Sequence, residues 1–402
     1  MTGIVIIGAG MAAHRACISL RANAYDGAIT LIGEEPHLPY DRPPLSKSAI
    51  TQEEEPTPVW LLDEGIAASL KINMQLNTQA TRINRTSKTI ETDHGTFAFS
   101  KLLLATGAKP RKLNLPGGEH ALLLRNFEDT ITLRARFQPG KNIIIIGGGF
   151  IGLELASSAN KLGCNVTVIE AQPRILMRGV PESIAKIVHD RHVTAGLTMR
   201  TGTALKSLQK DSVTLSDDSV IPADAIIAGI GASPEISLAK DAGLTIDNGI
   251  AVNEHMQTSD PDIYAAGDCC SFPHPHYNMR RIRLEAWRNA QDQGNVAGEN
   301  MSGGSKTYAA IPWFWSDQYD LSLQIAGLAD EGPVTVERPL GVGSKLLFHV
   351  AESGKLMGAS GIGPGNSIAR DIKLAEMLIA KGASPSHAAL TDPAVKLKSM
   401  LR

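Results

Sequence analysis

Two segments of the chain combine a short apolar run, closely spaced glycines and then apolar residues at helical spacing. The first reads GIVIIGAGMAAHRACISL from residue 3, and the second reads NIIIIGGGFIGLELA from residue 142. Each pattern predicts a buried strand, a tight turn and an amphipathic helix, with the second helix over residues 150–162. Another apolar run then ends in an acid, at Glu34 after AITLIG and at Glu170 after NVTVI. The pattern therefore predicts two βαβ units.

The glycine spacing of the first unit is that of a dinucleotide-binding turn. Gly8 permits the tight turn, Gly10 lets a pyrophosphate approach the backbone, and the small Ala13 lets the helix pack on the strand. Glu34 stands where a carboxylate accepts the ribose hydroxyls. The alternative is a structural glycine turn beside surface acids. We predict that this first unit binds FAD.

The second unit is more complete and carries three glycines: Gly147, Gly149 and Gly152. Glu170 places a negative charge where the 2′-phosphate of NADPH would lie, which favours NADH. Arg174 and Arg178 follow closely and weaken that preference. We predict an NADH site here.

Composition and charge narrow the function classes. The 402 residues are 43% hydrophobic and 20% charged, which suits two or three globular domains. A net charge of −2 argues against nucleic acid as the main partner, because phosphate binding needs a clustered positive surplus. No uninterrupted apolar run reaches the ~20 residues that span a bilayer. The apolar N-terminal stretch has no preceding basic region, so it does not resemble a signal peptide. We expect a soluble protein with no membrane partner.

The four cysteines do not form a disulfide framework or a CxxC motif. This usage favours a reduced, cytoplasmic setting. Cys269 and Cys270 are adjacent and cannot easily form an unstrained disulfide, so we interpret them as packing residues. His189 and His192 have a metal-like spacing, but no third ligand is evident, and we interpret them as solvated helix residues.

Several other segments resemble the landmarks of flavoprotein disulfide reductase-like enzymes: LLLATGAKPR (102–111), AGIGASPE (228–235) and DIYAAGDCCSFP (262–273). Three more narrow the resemblance: HLPYDRPPLSK (37–47), PWFWSDQY (312–319) and DPAVKLKSMLR (392–402). Together they resemble the NADH-dependent ferredoxin reductases of aromatic-ring dioxygenase systems, the putidaredoxin reductase-like group. The resemblance covers essentially the whole chain in the right order.

The resemblance implies an α/β fold with two Rossmann-like, glutathione reductase-like domains and a C-terminal α/β domain. The FAD domain would comprise residues 1–110 and 238–310, the NADH domain residues 111–237, and the C-terminal domain residues 311–402. The pattern of the last region itself predicts an antiparallel sheet from alternating segments at 322–326, 334–337, 346–350 and 356–360. It also predicts a helix after Gly365 that presents one apolar face: Ile368, Ile372, Ala375 and Ile379.

The resemblance also implies site residues. The FAD site would contain Gly8, Gly10, Ala13, Glu34, Arg42, Lys47, Thr106, Gly107, Arg125, Asp268 and Trp315. The NADH site would contain Gly147, Gly149, Phe150, Gly152, Glu170, Arg178 and Gly231. The catalytic residues would be Lys47, paired with Glu154, and Trp315 at the flavin edge. For Trp315 a place in the core is the alternative, and Phe150 is either a gate for nicotinamide or a hydrophobic spacer.

The implied chemistry follows from a missing thiol. Related disulfide reductases and peroxidases carry cysteines early in the FAD domain, whereas residues 38–48 here read LPYDRPPLSKS. Electrons would therefore pass from NADH to FAD and then singly to a 2Fe–2S ferredoxin. An acidic ferredoxin would be attracted by basic residues. The candidates are Arg280, Arg281, Arg283, Lys396 and Lys398. The alternatives are a rubredoxin or monodehydroascorbate reductase and, more remotely, an NADH-sensing signalling flavoprotein similar to apoptosis-inducing factor.

Overall fold

The computed structural model describes residues 2–341 and 343–401. The chain forms two compact units. The first comprises Met1–Arg42, Pro58–Lys109 and Ser233–Ala310, and the second comprises Pro43–Thr57, Pro110–Ala232 and Ile311–Arg402. The strands Ala108–Pro110 and Ala232–Pro234 contain two of the positions at which the chain passes from one unit to the other.

The first unit is built on a largely parallel sheet. Its strands lie in the order Ile72–Gln75, Ile29–Ile32, Gly3–Ile7, Gly95–Leu104, Thr89–Thr92 and Ala80–Asn84, and Ile263–Ala265 also pairs with Gly95–Leu104. The strand that carries the first glycine turn lies between two parallel neighbours, with Ile4 opposite both Ile29 and Lys101. Both faces of such a strand are covered, which explains its continuous apolar sequence.

Close helix packing supports this sheet. Helix Met11–Ala22 lies against helix Trp287–Met301, where Gly294 leaves no room for a side chain because a Cβ there would lie 2.3 Å from the carbonyl oxygen of Ala12. The remaining elements of the unit are helices Glu64–Ser69 and Ser237–Asp241, the 3₁₀ helix Pro275–Tyr277, and strands Ile250–Ala251, Cys270–His274 and Arg280–Ile282.

The second unit contains the second predicted βαβ unit. Its parallel sheet has the order Thr198–Arg200, Asn165–Ile169, Asn142–Ile146 and Ala225–Ala228. The helices of this part are Phe127–Arg136, Phe150–Lys161 and Glu182–Thr194, and a small antiparallel sheet comprises Leu205–Gln209, Ser212–Leu215 and Val220–Pro222. The strand, turn, helix and strand of the second glycine segment are therefore confirmed.

The C-terminal part of the second unit is an antiparallel sheet with a helix. The strands lie in the order Trp313–Gln318, Leu321–Gly327, Leu356–Pro364, Lys345–Val350 and Val334–Arg338. Helix Ala369–Ala380 follows, and all four residues of the predicted apolar face are buried. Four of these strands match the predicted segments, whereas Trp313–Gln318 was not predicted as a strand. Short helical segments complete the unit: Pro43–Ser46, Ser48–Thr51, Gly118–His120, Ala329–Glu331, His387–Thr391 and Leu397–Leu401.

The core of the second unit is continuous between these two parts. Leu323, Ile325 and Leu347 of the C-terminal sheet belong to the same buried apolar cluster as Ile143 and Ile145 of the parallel sheet. The structure divides into two compact units, and residues 110–232 and 311–402 both belong to the second. The three predicted domain ranges therefore stay predictions. Among the described residues, no helix combines the length and apolar composition needed to cross a membrane.

Candidate functional site

The first glycine turn has a backbone shape that fits a dinucleotide. Gly8 has φ +113°, and a Cβ there would lie 2.2 Å from the carbonyl oxygen of Ala105, so glycine is required. Gly10 caps helix Met11–Ala22, whose first turn has no acidic residue. Apart from Gly10 and its two chain neighbours, no described residue has an atom within 4 Å of the position that a Cβ of Gly10 would take. Open space at a helix N-terminus suits the pyrophosphate of FAD.

The second glycine turn is built in the same way. Gly147 has φ +107°, and a Cβ there would lie 2.5 Å from the carbonyl oxygen of Gly229. A Cβ on Gly152 would lie 2.2 Å from the carbonyl oxygen of Gly147, so the helix can pack only without a side chain. Gly149 caps helix Phe150–Lys161, which also lacks an acid in its first turn. This turn fits the pyrophosphate of the nicotinamide dinucleotide.

Glu170 is oriented by the backbone around the second turn. One carboxylate oxygen accepts the amide of Gly148 at 2.7 Å, and the other accepts the amide of Gln172 at 2.7 Å. A carboxylate has about four lone-pair positions, so it retains capacity for ribose hydroxyls. The predicted acid therefore lies at the turn, in a fixed orientation.

The two arginines after Glu170 differ. Arg174 donates to the carbonyl oxygens of Ile175 and Val180 at 3.0 and 3.1 Å, so it holds its own loop together. Arg178 is exposed, and its guanidinium lies 3.0 Å from the position of a Cβ on Gly231. Arg178 therefore lies beside the predicted Gly231, and Arg174 has a structural role.

In the first unit, Arg42 is held by an acid that the sequence analysis did not select. Its guanidinium lies 2.6 Å from the carboxylate of Glu35, and Tyr40 donates to that carboxylate at 2.5 Å. Burial opposes the charge on Arg42, but Glu35 and Tyr40 outweigh it and raise the pKa of Arg42. Glu34, the predicted ribose ligand, is exposed. The pairing of Glu35 with Arg42 left no signal in the local pattern.

Thr106 and Asp268 lie just after strands Gly95–Leu104 and Ile263–Ala265 of the first unit. Thr106 donates to the carbonyl oxygen of Glu235 at 2.7 Å, and Gly107 follows with φ +70°. Gly267, which precedes Asp268, donates its amide to the side chain of Gln293 at 2.8 Å. Gln293 is fully buried, and this contact fixes the backbone that presents Asp268.

In the second unit, the predicted catalytic residues lie together. The ammonium of Lys47 is 3.1 Å from Glu154 Oε1 and 5.8 Å from the ring centroid of Trp315. Glu154 is only 5% exposed, and Trp315 stacks on Trp313 at 5.3 Å. The predicted pairing of lysine and glutamate is present, whereas its catalytic role stays a prediction.

Two serines complete the surroundings of Glu154. Ser46 donates to Oε2 at 2.6 Å, and Ser316 donates to Oε1 at 2.6 Å. These hydroxyls come from segments 108 and 162 residues away from Glu154. Neither serine was predicted as a site residue, because a serine within PYDRPPLSK or WFWSDQ gives no sign of its partner.

Two further predicted residues are placed by local packing. The ring of Phe150, the first residue of its helix, meets that of Phe314 edge-on at 4.9 Å. Arg125 donates its backbone amide to Asp129 at 2.8 Å, just before helix Phe127–Arg136. Phe150 therefore has an aromatic packing partner, and its role as a gate stays a prediction.

The four cysteines are all buried. Burial raises the pKa of Cys17 to about 12 and that of Cys164 to about 11, and it also raises the pKa of Cys269 and Cys270. A thiol reacts as its thiolate, so these side chains are poor nucleophiles. The packing role of the adjacent pair is confirmed.

Two basic residues suggested for ferredoxin binding make internal hydrogen bonds, and their docking role stays a prediction. Arg281 donates to the carbonyl oxygens of Val252 and Ser271 at 3.0 and 2.7 Å. Arg283 donates to the carbonyl oxygen of Asp268 at 3.3 Å and lies 2.6 Å from Glu285. Arg280, Lys396 and Lys398 are exposed.

The interpretation of His192 as solvated is wrong. Its side chain is 0% exposed and shares a hydrogen bond of 2.8 Å with Gln318, and burial lowers its pKa to about 4. The helical spacing could not show which face is covered by the C-terminal strand. Within residues 2–341 and 343–401, no group of three His, Cys, Asp or Glu side chains could hold a metal ion.

Two glycine turns that fit dinucleotides, a lysine paired with a buried glutamate, and inert thiols define an oxidoreductase that uses two dinucleotide cofactors. The family model described as pyridine nucleotide-disulphide oxidoreductase matches residues 2–294, and the model described as reductase C-terminal matches residues 313–401. The chain belongs to the pyridine nucleotide-disulphide oxidoreductase family. FAD and NADH are its cofactors.

Individual relatives cover 81% or more of the chain. The anthranilate 1,2-dioxygenase system ferredoxin–NAD(+) reductase component of Burkholderia cepacia is 38% identical over 99% of this chain and 98% of its own. A rubredoxin–NAD(+) reductase of Pseudomonas putida is 38% identical over 81% of this chain and 86% of its own. The crystal structure of a covalent putidaredoxin reductase–putidaredoxin complex is similar with a TM-score of 0.92 and 31% identity, covering 100% of this chain and 98% of that one. The α/β fold predicted from the resemblance is confirmed.

Proposed function

We propose that this protein is an NADH:ferredoxin oxidoreductase that supplies an oxygenase. The balanced reaction converts NADH and two oxidised 2Fe–2S ferredoxins into NAD⁺, a proton and two reduced ferredoxins. The relative from Burkholderia cepacia carries this activity in its name, and it matches this chain from end to end. When bound, FAD accepts a hydride from NADH and releases electrons one at a time.

The observation that carries the proposal is the state of the thiols. All four cysteines are buried with raised pKa values, so no described thiol is suited to relay electrons. A disulfide substrate needs such a relay, whereas a one-electron protein acceptor does not. This favours an external redox protein as the acceptor.

The chain's own residues then have binding and electrostatic roles. The turns at Gly8 and Gly147 would hold the two pyrophosphates, and Glu170 would accept the ribose hydroxyls of NADH. Lys47 would present a positive charge to the active site, with Glu154 fixing its position. We assign FAD binding to residues 1–110 and 238–310, NADH binding to 111–237, and the C-terminal domain to 311–402.

The first test measures the acceptor directly. The purified flavoprotein, mixed with NADH without air, should bleach a 2Fe–2S ferredoxin with two ferredoxins reduced per NADH. A protein that takes up no flavin would contradict the proposal. Faster reduction of a rubredoxin than of any 2Fe–2S protein would favour the second candidate, which the similarity to the rubredoxin–NAD(+) reductase supports.

The second test concerns Lys47. Lys47→Met should slow ferredoxin reduction at least about tenfold at unchanged flavin content, because it removes a charge held 3.1 Å from buried Glu154. Lys141→Met is the matched control, since Lys141 pairs with Asp224 at 2.9 Å in an exposed position of the same unit. Equal rates for the two variants would show that the site is assigned wrongly.

A further inference from the structure

Glu154 is the meeting point of several hydrogen-bond donors. Its two carboxylate oxygens receive the hydroxyl of Ser46 and the hydroxyl of Ser316, each at 2.6 Å, and Oε1 also faces Lys47 at 3.1 Å. Short bonds from hydroxyls to a buried carboxylate are among the stronger hydrogen bonds in proteins. Lys47 contacts Oε1, whereas Oε2 depends on the hydroxyl of Ser46 for its hydrogen bond. The carboxylate is therefore held from both sides.

The Ser316 hydroxyl is itself directed by a longer chain of donors. The side-chain amide of Gln318 donates to Ser316 Oγ at 3.2 Å, and Gln318 Oε1 shares a hydrogen bond of 2.8 Å with His192 Nε2. An amide oxygen only accepts, so His192 must carry its proton on Nε2. Burial keeps this histidine neutral by lowering its pKa to about 4. In this series, His192 therefore donates to Gln318, Gln318 donates to Ser316, and Ser316 donates to Glu154.

The polarity of the series has a consequence for Ser316. A hydroxyl has a single hydrogen and two acceptor lone pairs, one of which accepts from Gln318, and a carboxylate oxygen can only accept. The hydrogen of Ser316 is then committed to Glu154 Oε1, the same oxygen that faces Lys47. All members of the series belong to the second unit.

We propose that Ser46 and Ser316 are positioning residues that fix the orientation of Glu154 and so the location of the Lys47 charge, with Gln318 and His192 setting the direction of the Ser316 hydrogen bond. This inference rests on the proposed function, because it assigns the serines a role through the Lys47 site. Without the hydroxyls, Glu154 can rotate toward other donors. Lys47 then loses its fixed partner, although the ion pair itself remains possible.

The test is a double-mutant cycle. Ser46→Ala and Ser316→Ala should each slow flavin reduction by NADH about tenfold, with flavin content and the KM for ferredoxin unchanged. Each should also shift the midpoint potential of the bound flavin in the same direction as Lys47→Met. In the Lys47→Met background the Ser316→Ala change should add little, because residues that act through one unit are not additive. Ser316→Thr keeps a hydroxyl and should restore part of the rate.

Controls separate this role from packing. Ser360→Ala removes a buried serine hydroxyl that contacts His349 at 2.9 Å in the same unit, and it should leave rate and potential unchanged. Gln318→Met should act in the same direction as Ser316→Ala, but more weakly. Additive losses of Ser316→Ala and Lys47→Met, or an unshifted potential, would overturn the inference.

A failure of the positioning role can be distinguished from a failure of the proposed function. If Lys47→Met slows the enzyme and the serine variants do not, only the positioning role is wrong. If Lys47→Met reduces ferredoxin as fast as Lys141→Met does, Lys47 is not part of the active site, and the positioning role of the serines is wrong as well.

Discussion

Three buried histidines should make this protein take up protons when it unfolds in mild acid. His192, His274 and His349 are 0%, 0% and 3% exposed. Burial lowers the pKa of each to about 4, from an ordinary value of 6.5. The unfolded chain binds these protons near pH 6, whereas the folded chain does not.

The sign and size follow from linkage. Well above pH 6.5 both states are neutral at these positions, and the stability is fully present. As the pH falls from 6.5 toward 4, only the unfolded state is protonated, so the free energy of unfolding decreases. A separation of about 2.5 pH units corresponds to about 3 kcal/mol for each histidine. That loss is a large part of a typical stability of about 5–15 kcal/mol.

The assay is urea unfolding in weakly buffered solution with a pH indicator. At pH 5 unfolding should take up about three protons from these residues. His192→Gln should reduce the uptake by about one proton and make the free energy of unfolding less dependent on pH. Equal uptake by the two proteins, or a free energy of unfolding that is constant between pH 7.5 and 5, would refute the reasoning.

Three further predictions concern the cofactor turn, the partner and the thiols. Gly8→Ala should lower the melting temperature of the flavin-free protein, because its Cβ would lie 2.2 Å from a backbone oxygen at φ +113°. Gly10→Ala, in open space, should leave that temperature unchanged and weaken FAD binding; an unchanged FAD affinity would argue against this turn as the cofactor site. Reversing the charge of exposed Lys396 and Lys398 should raise the KM for ferredoxin several-fold but not that for a dye, and equal losses with the two acceptors would exclude a docking role for these lysines. Arg281→Ala should instead reduce the free energy of unfolding by about 2 kcal/mol, because two backbone carbonyls lose their donor. The native protein should keep its activity in an alkylating reagent, and its four thiols should react only in urea. Inactivation of the folded protein by the reagent would contradict direct electron transfer from the flavin.

Local pattern was sufficient for the two dinucleotide units. The apolar runs before Gly8 and Gly147 and the glycine spacing define strands, turns and helices within about thirty residues each. The four predicted C-terminal strands are present in the structure, because alternating apolar positions also encode local geometry. Strand Trp313–Gln318 was missed, because its residues read as a family motif and not as an alternating pattern.

Contacts between distant segments could not be predicted in this way. Nothing near Glu35 indicates that it holds Arg42, and the HDRH spacing gives no sign that Gln318 covers His192. The arginines of NMRRIRLEAW look like free surface charge, yet Arg281 and Arg283 bind backbone carbonyls.

The sequence by itself determined the two βαβ units, because periodicity and short spacings encode local geometry, and it showed that residues 38–48 contain no cysteine. The pairing of Lys47 with Glu154 was implied by the family resemblance of the motifs that contain them. Only the tertiary structure decided that Ser46 and Ser316 meet on the two oxygens of that carboxylate. The physical reason is that a buried charge must find its donors wherever packing brings them, and packing joins residues that are far apart in the chain.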